Sequence, residues 1–368
     1  MTMTKDIITE KDLHKIDPVF GHVSFDEHEQ IVFCRDKDTG LKAIIGIHNT
    51  TLGPALGGTR MWMYNNEAEA LNDVLRLSRG MTFKSSISGL DLGGGKAVII
   101  GDAKKDKTPE LMKKFGEFVH SLSGKYITAE DVGMETSDMD LVRSVTPHVT
   151  GISKALGGSG NPSPVTAYGV FMGIKASVKY KYGSDNLTGK KVIVQGIGHV
   201  GEVLVDLLTK EGAEVIIDDL DLRRLEYVSN TYGAKIYQGS DLYSEEVDIY
   251  APCALGATVN DHTIYKIKAA IIAGAANNQL ANESVHGAIL KEKGILYAPD
   301  FLINAGGVIN VYSELKQLTE DQVKEKTENI YNTALEIFKL SDSNSLTTFE
   351  AALSIAQKRI DDKKASRS

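Results

Sequence analysis

The sequence predicts an α/β protein of two domains, the second built on a mostly parallel sheet. Three observations carry this expectation. The chain has 368 residues, more than one hydrophobic core usually spans. Short apolar runs alternate with amphipathic helical patterns along most of its length. A segment rich in Gly, Ser and Pro, ALGGSGNPSPVTAYG (155–169), separates two such alternating regions and is the clearest linker.

The first region opens with two apolar runs, IVFCRD (31–36) and LKAIIGIHN (41–49), joined by KDTG as in a hairpin. A helix is predicted over 65–81. Asn66 is placed to cap it, and Leu71, Val74, Leu75, Ser78 and Met81 share one face. AVIIG (97–101) is a buried strand. Residues 108–122 form an amphipathic helix with Pro109 in its first turn. KYITAED (125–131) is a strand ending in acids, before a helix capped by Thr136 or Ser137. In the second region a helix (about 165–182) precedes KKVIVQGIGHVG, a helix, and AEVIIDD. Strand-like runs recur at VDIYAPC, AAIIAGA and ILYAPD. The tail, 317–368, is charged and helical, and its last residues, DDKKASRS, are expected to fray.

Composition excludes several classes. The chain is 42% hydrophobic and 24% charged, as globular proteins are. With 41 Lys+Arg against 49 Asp+Glu, the net charge of −8 argues against nucleic acid or an anionic membrane as partner. Cys34 and Cys253 are the two cysteines, too few for a disulfide framework or a Cys-rich metal site. No metal is expected. The N-terminus is polar without an apolar leader, and no run nears the ~18 apolar residues that span a bilayer. A cytoplasmic protein is expected.

Gly196, Gly198 and Gly201 form GxGxxG between an apolar strand and a helical run, with His199 and Val200 inside the motif. The next strand ends at Asp219, 23 positions after Gly196. This is a complete Rossmann unit, so the second domain is expected to bind a dinucleotide. The glycines allow backbone amides near a pyrophosphate, and the helix N-terminus adds positive potential. Asp219 would accept from ribose hydroxyls. Asp218 would repel a 2′-phosphate, which favours NAD over NADP; Arg223 and Arg224 keep NADP as the alternative. His199 reads as a surface helix residue, and the plain alternative for the whole motif is a βαβ turn without ligand.

GLDLGGGKAVIIGD (89–102) invites comparison with a phosphate-binding loop. Leu90 stands where the first glycine of that loop belongs, Ala97 where its hydroxyl belongs, and a strand follows instead of a helix. Lys96 and Lys84 instead lie among small and apolar residues. There each must find a negative partner or shed its proton, and two amines in one pocket depress one another. Two ordinary surface lysines are the plain alternative. Glu130 and Asp131 sit at a strand end, either facing a cleft or in a solvated turn.

Read together, GPALGGTRMW (53–62), GMTFK (80–84), GGGKAV, TAEDVGM (128–134), GNPSPVTAYGV (160–170), APCALGATVN (251–260), IAGAANNQL (272–280) and YAPDFLINAGGVINV (297–311) resemble the Glu/Leu/Phe/Val amino-acid dehydrogenases, in order and over nearly the whole chain. The resemblance is closest to the leucine-type branch. It implies reversible oxidative deamination of an L-amino acid with NAD. It implies that Lys84 binds the substrate carboxylate, that Lys96 activates water, and that Asp131 exchanges protons with the substrate nitrogen. Gly57 and Gly58 would orient the amino group, with Met81 alongside. Asn277 would lie near substrate and nicotinamide, and Cys253 and Ala254 near the cofactor. The glycines at 93–95 are expected to leave a substrate room beside Lys96.

Side-chain selection follows from one position. The glutamate branch carries Lys in G-P-x-K-G-G, where this chain has Leu56. Leu56, Ala129, Val308 and Val311 are expected to form an apolar pocket for leucine, valine or isoleucine. GGGKAV in place of GGAKTV is shared with the phenylalanine branch, so a dehydrogenase of phenylalanine or another hydrophobic amino acid is the alternative. A silent NAD-binding regulator is the alternative of another class. The expected organisation is a substrate-binding and oligomerisation domain (1–150) and a Rossmann domain (151–334), with the active site in the cleft between them. A C-terminal helix (about 335–368) would return to the first domain. The resemblance implies a homo-oligomer, an octamer in the leucine branch.

Overall fold

The computed structural model describes residues 19–367; the polar N-terminal stretch before Val19 lies outside them. The first sheet has the order β1-β2-β4-β3-β5, with β1 (Gln30–Arg35), β2 (Lys42–Asn49), β3 (Ala55–Trp62), β4 (Gly93–Ile100) and β5 (Tyr126–Glu130). β1 and β2 pair antiparallel across KDTG, whose Gly40 takes φ 76°. β2 is antiparallel to β4, whereas β3 runs parallel to both β4 and β5.

β3 carries no clear strand signal, because ALGGTRMW holds two glycines, yet it is an interior strand. Pairing on both sides overrides its weak propensity. β4 starts at Gly93, so all three glycines of GGGK lie in the strand. The room they leave is taken by protein, not kept for a substrate as the sequence suggested. A Cβ on Gly93 would stand 2.0 Å from the Asn49 carbonyl oxygen, one on Gly94 2.1 Å from the Thr82 amide, and one on Gly95 2.7 Å from the Tyr126 ring.

Helix α1 (Glu67–Ile87) is capped by the Asn66 side chain, which accepts from the Glu69 amide. It runs past the predicted end at Met81, because Thr82, Phe83, Ser85, Ser86 and Ile87 stay buried, Ser86 donating from its hydroxyl to the Ala356 carbonyl at 2.6 Å. Side chains alternate across the strands. Ala43, Ile45, Ile47, Ala97 and Ile99 point into the core covered by α2 (Pro109–Ser121) and α3 (Thr136–Arg143). Ile44 and Val98 point to α1. Glu135, not Thr136 or Ser137, takes the cap position of α3, where its amide donates to Asp138 at 2.8 Å.

Residues 150–162 lead to α4 (Ser163–Tyr182) and a second sheet. Its strands are β6 (Lys191–Gln195), β7 (Glu214–Asp218), β8 (Lys235–Ile236), β9 (Ile249–Pro252), β10 (Ile271–Ile272) and β11 (Leu296–Tyr297), in the order β11-β10-β9-β6-β7-β8. All its pairings are parallel. Numbered from β6, this is the Rossmann order, and the strand order reverses between β6 and β9. Helices α5 (His199–Lys210), α6 (Leu222–Tyr232) and α7 (Glu283–Glu292) complete the crossovers.

After β11 come α8 (Asp300–Ile303), α9 (Gly306–Lys316), α10 (Glu320–Ser343) and α11 (Thr348–Ala365). Glu314 of α9 accepts from the Gly151 amide (3.0 Å), the Ser159 amide (2.8 Å) and the Ser159 hydroxyl (2.6 Å), fixing the chain that joins the two sheets. The sequence suggested one C-terminal helix from about 335. The chain instead breaks after Ser343, with Ser345 at φ 56° and Thr347 capping α11. The part up to 343 packs on α4, where Tyr180 donates to the Phe338 carbonyl at 3.2 Å. α11 reaches the first domain: Arg359 donates to the carbonyls of Ser86 (3.4 Å) and Leu90 (2.7 Å) and pairs with Asp91 (3.0 Å). It stays helical through Ala365, so the DDKK stretch is not frayed. No described helix is long and apolar enough to cross a membrane.

Two alanine substitutions separate these uses of glycine. Gly94→Ala forces a methyl into α1 and is expected to cost about 3 kcal/mol in denaturant unfolding. Gly80→Ala, in the same helix, meets nothing within 4 Å and is exposed. It is expected to stabilise by about 0.5–1 kcal/mol. A Gly94→Ala protein as stable as wild type would show that α1 does not rest on the sheet at this point.

Candidate active site

The alternation that sends Val98 toward α1 sends Lys96 there too. By the same count Leu56, Gly58 and Arg60 of β3, and Ile127, Ala129 and Asp131 of or just beyond β5, share that face. Lys96 Nζ lies 2.7 Å from Asp131 Oδ2, and the lysine is only 6% exposed. Gly58 makes this possible: a Cβ there would stand 2.6 Å from the Glu130 carbonyl oxygen and 2.9 Å from the Asp131 Cβ. Gly57 faces the other way, and its carbonyl accepts from the Tyr126 hydroxyl at 2.7 Å.

Burial drives the Lys96 ammonium below the usual lysine range; Asp131 opposes this and Arg60 adds to it. Burial would raise the Asp131 carboxyl, but Lys96 and Arg60 together outweigh it and hold the group below the usual carboxylate range. The pair is therefore a buried amine of low proton affinity in contact with an ionised acid. Such a pair can pass protons.

Lys84, in the last turn of α1, lies between the two halves of the molecule. Its Nζ donates to Asn277 Oδ1 at 3.3 Å, across the cleft. Burial lowers Lys84 to about 8, with Asp300 the main influence keeping its charge and Lys96 lowering it further. Asn277 Oδ1 also accepts from Asn304 Nδ2 at 2.9 Å. Asp300 accepts from the Tyr297 hydroxyl at 3.0 Å and from the Asn278 amide, which holds the Asn277 loop. Burial raises its carboxyl, against Lys84. Leu56 (2% exposed) and Val308 (8%) belong to one apolar cluster that continues through both domains, with Met81 and Val311 packed against it. Ala129 lies beside Gly58 in the β3–β5 ladder and is buried.

The turn after β6 has the shape of a pyrophosphate cradle. Gly196 takes φ 94°, and a Cβ there would stand 2.5 Å from Ala254 Cβ. A Cβ on Gly201 would stand 2.1 Å from the Gly196 carbonyl oxygen. Gly198, the N-cap of α5, has nothing within 4 Å of its Cβ position, so space opens over the first-turn amides of His199, Val200 and Gly201. Asp219 accepts from the Ile197 amide at 2.8 Å and the Asp221 amide at 3.0 Å, leaving lone pairs on both oxygens for hydroxyl donors. Cys253 and Ala254 follow β9 across the point where the strand order reverses. Burial pushes the Cys253 thiol up to about 12, which favours its protonated form. Arg224 is committed to the Ile197 carbonyl and to Glu202 (2.9 Å), while Arg223 projects into solvent. Among the described residues no cluster of His, Cys, Asp and Glu could hold a metal.

Arg60, Asp73, Asp300 and Asn304 were not singled out from sequence. Each acts through contacts between distant segments, so no local pattern marks them. The single available signal was position: Arg60 falls inside GPALGGTRMW, and Asp300 and Asn304 inside YAPDFLINAGGVINV.

Comparison with known proteins follows the same lines. The family model described as Glu/Leu/Phe/Val dehydrogenase, dimerisation domain, matches residues 28–148. The Glutamate/Leucine/Phenylalanine/Valine dehydrogenase model matches 157–221 and 217–367. Leucine dehydrogenase of Bacillus subtilis (strain 168) is 51% identical over 95% of this chain and 96% of its own. That of Geobacillus stearothermophilus is 51% identical over 95% of each. The crystal structure of L-tryptophan dehydrogenase from Nostoc punctiforme superimposes with TM-score 0.82 at 45% identity, covering 92% of this chain and 97% of that one. With a Rossmann turn in its second domain and a lysine–aspartate pair in its first, the chain belongs to the Glu/Leu/Phe/Val dehydrogenase family and is an amino-acid dehydrogenase.

Proposed function

We propose that the protein catalyses the NAD-dependent, reversible oxidative deamination of branched-chain L-amino acids, leucine, valine and isoleucine, to 2-oxo acid and ammonium. The observation that carries this is the Lys96–Asp131 pair set beside the apolar Leu56. A lysine at position 56 would suit a side-chain carboxylate; leucine leaves one buried without a partner, at a cost of several kcal/mol. The leucine dehydrogenases at 51% identity support the aliphatic reading. Gly198, Asp219 and the opening over α5 suit a dinucleotide. Asp218 beside Asp219, and an Arg224 already engaged, favour NAD over its 2′-phosphorylated form. When bound there, NAD supplies the acceptor for the Cα hydride.

The chain's own residues manage the rest. Lys84 anchors the substrate carboxylate, with Asn277 beside it, so that Cα points one way only. Asp131 takes a proton from the α-ammonium, since the nitrogen must be neutral before Cα can be oxidised. Lys96, depressed by burial, takes a proton from the water as it adds to Cα of the iminium. Asp131 then returns its proton to the nitrogen, which leaves as ammonia while the hydroxyl proton passes to solvent and the 2-oxo acid forms. In the amination direction the same groups return these protons. The first domain is proposed to carry subunit contacts of a homo-oligomer, in keeping with the dimerisation model it matches. An octamer is the expected assembly, to be read by light scattering.

The test is NADH formation from a panel of L-amino acids including phenylalanine, tryptophan and glutamate, with NAD⁺ and NADP⁺ supplied separately. Turnover is expected on leucine, valine and isoleucine with NAD⁺. Lys96→Met is expected to lower kcat by about 10²–10⁴. No turnover of aliphatic amino acids, or full activity in Lys96→Met, would sink the proposal; preference for an aromatic substrate would move it to the neighbouring branch. Leu56→Lys is expected to lower kcat/KM for leucine by about 10² or more, since it buries an unpaired charge in the pocket. Unchanged leucine kinetics would place the side-chain pocket elsewhere.

A further inference from the structure

The two carboxylate oxygens of Asp131 have different surroundings. Oδ2 is held twice, by Lys96 Nζ at 2.7 Å and by Arg60 Nε at 3.1 Å. Oδ1 makes no hydrogen bond among the described residues. Arg60 reaches on to α1, where Nη1 donates to Asp73 Oδ2 at 2.9 Å. The Tyr64 hydroxyl donates to the same oxygen at 2.7 Å, and Arg76 lies 3.6 Å from the other. Arg60 thus spans from the proton-exchanging acid to the helix that carries Lys84.

We propose that Arg60 is a positioning residue of this reaction: it holds Asp131 by Oδ2 and so presents Oδ1 to the substrate nitrogen. The inference rests on the deamination reading above. Its physical reason lies in the other partner of Oδ2. Lys96 gains and loses a proton in each cycle, and its hydrogen bond to Asp131 weakens whenever it is neutral. A guanidinium keeps its charge throughout. It also keeps two hydrogen bonds in a fixed fork, one to each acid, which a lysine could not span. Lys96 and Arg60 against Asp131 and Asp73 make a balanced set of four charges, which is what lets them lie half-buried together.

The same set predicts a pH effect. The groups acting on Lys96 and Asp131 are Arg60 from β3, Tyr64 just beyond it, Asp73 and Lys84 from α1, Tyr126 of β5 from the opposite face of the sheet, and Asp300 of the second domain acting through Lys84. Removing Arg60 removes a cation that lowers the proton affinity of Lys96. Lys96 then stays protonated to higher pH. A base that must be neutral becomes available later, and the acidic limb of kcat/KM moves up.

The experiment compares wild type, Arg60→Met and Arg60→Lys in leucine oxidation across pH. Arg60→Met is expected to lower kcat about 10²-fold with KM changed less than about threefold, and to move the acidic limb up by about one pH unit. Arg60→Lys is expected to keep the limb near wild type while recovering only part of kcat. Wild-type kcat and limb in Arg60→Met, or a loss confined to KM, would overturn the proposal. If Arg60→Met does not fold, Asp73→Asn loosens the same arginine without removing its charge. It should lower kcat several-fold and move the limb down, opposite to Arg60→Met, since the Asp73 charge raises the proton affinity of Lys96; wild-type kcat there would count against the inference. Trace acetylation of the substrate-free enzyme across pH, read by mass spectrometry on the Lys96 peptide, gives a readout that needs no turnover. An upward shift in Arg60→Met supports the coupling, and none overturns it. A wild type silent toward every amino acid would overturn the proposed function instead, and the acetylation profile would still decide the role of Arg60.

Discussion

A charged lysine buried in the middle of a sheet is stable only with a carboxylate in contact, and the 2.7 Å approach of Lys96 to Asp131 meets that requirement. Much of the first domain is arranged around it. Lys96 reaches the cleft because it sits on an interior strand of the sheet. Asp131 reaches Lys96 because the residue between them on β3 is Gly58. The acid stays ionised despite burial because two cations, not one, face it. Take away any of these and the pair becomes either a neutral amine beside a neutral acid or a pair of solvated surface charges.

Glycine does most of the local work, and for two separate reasons. In the first sheet the glycines at 57, 93, 94 and 95 are steric vacancies filled at once by backbone or ring atoms of neighbouring segments. They let α1 and the strands approach closely enough for Lys84 and Lys96 to share one cleft. In the second sheet Gly196 and Gly201 serve the same close packing, but Gly198 faces open space. That contrast separates glycines packed against neighbouring atoms from one that stands open at the first turn of α5. Sequence cannot draw it, because both kinds read as Gly-rich turns.

The strand–helix alternation, the Rossmann unit and the two lysines were legible because each is a local pattern: an apolar period, a spaced motif, a charge among small residues. β3 was not, because its stability comes from pairing on both sides, through strands that enter the sheet about forty and seventy residues later. The end of α1 was missed because Thr82, Ser85 and Ser86 are polar yet buried, and periodicity scores them as surface. Arg60, Asp73, Asp300 and Asn304 escaped because their partners come from other segments. An arginine in a glycine-rich strand looks like an ordinary surface charge until the acid 71 positions later folds onto it.

The two halves of the site are not independent. Lys84 belongs to the first domain, yet the group that most strongly maintains its charge is Asp300 of the second. Asn277, which accepts from Lys84, is in turn held by Asn304, one turn along from Asp300. Lys84, the proposed carboxylate anchor, therefore gains its electrostatic character from the Rossmann domain. Glu314 fixes the connection between the sheets, and Arg359 ties α11 back to the end of α1. In the proposed reaction, substrate and cofactor are thus read by surfaces that share charges, so the geometry proposed for oxidation at Cα is complete only where the two domains meet.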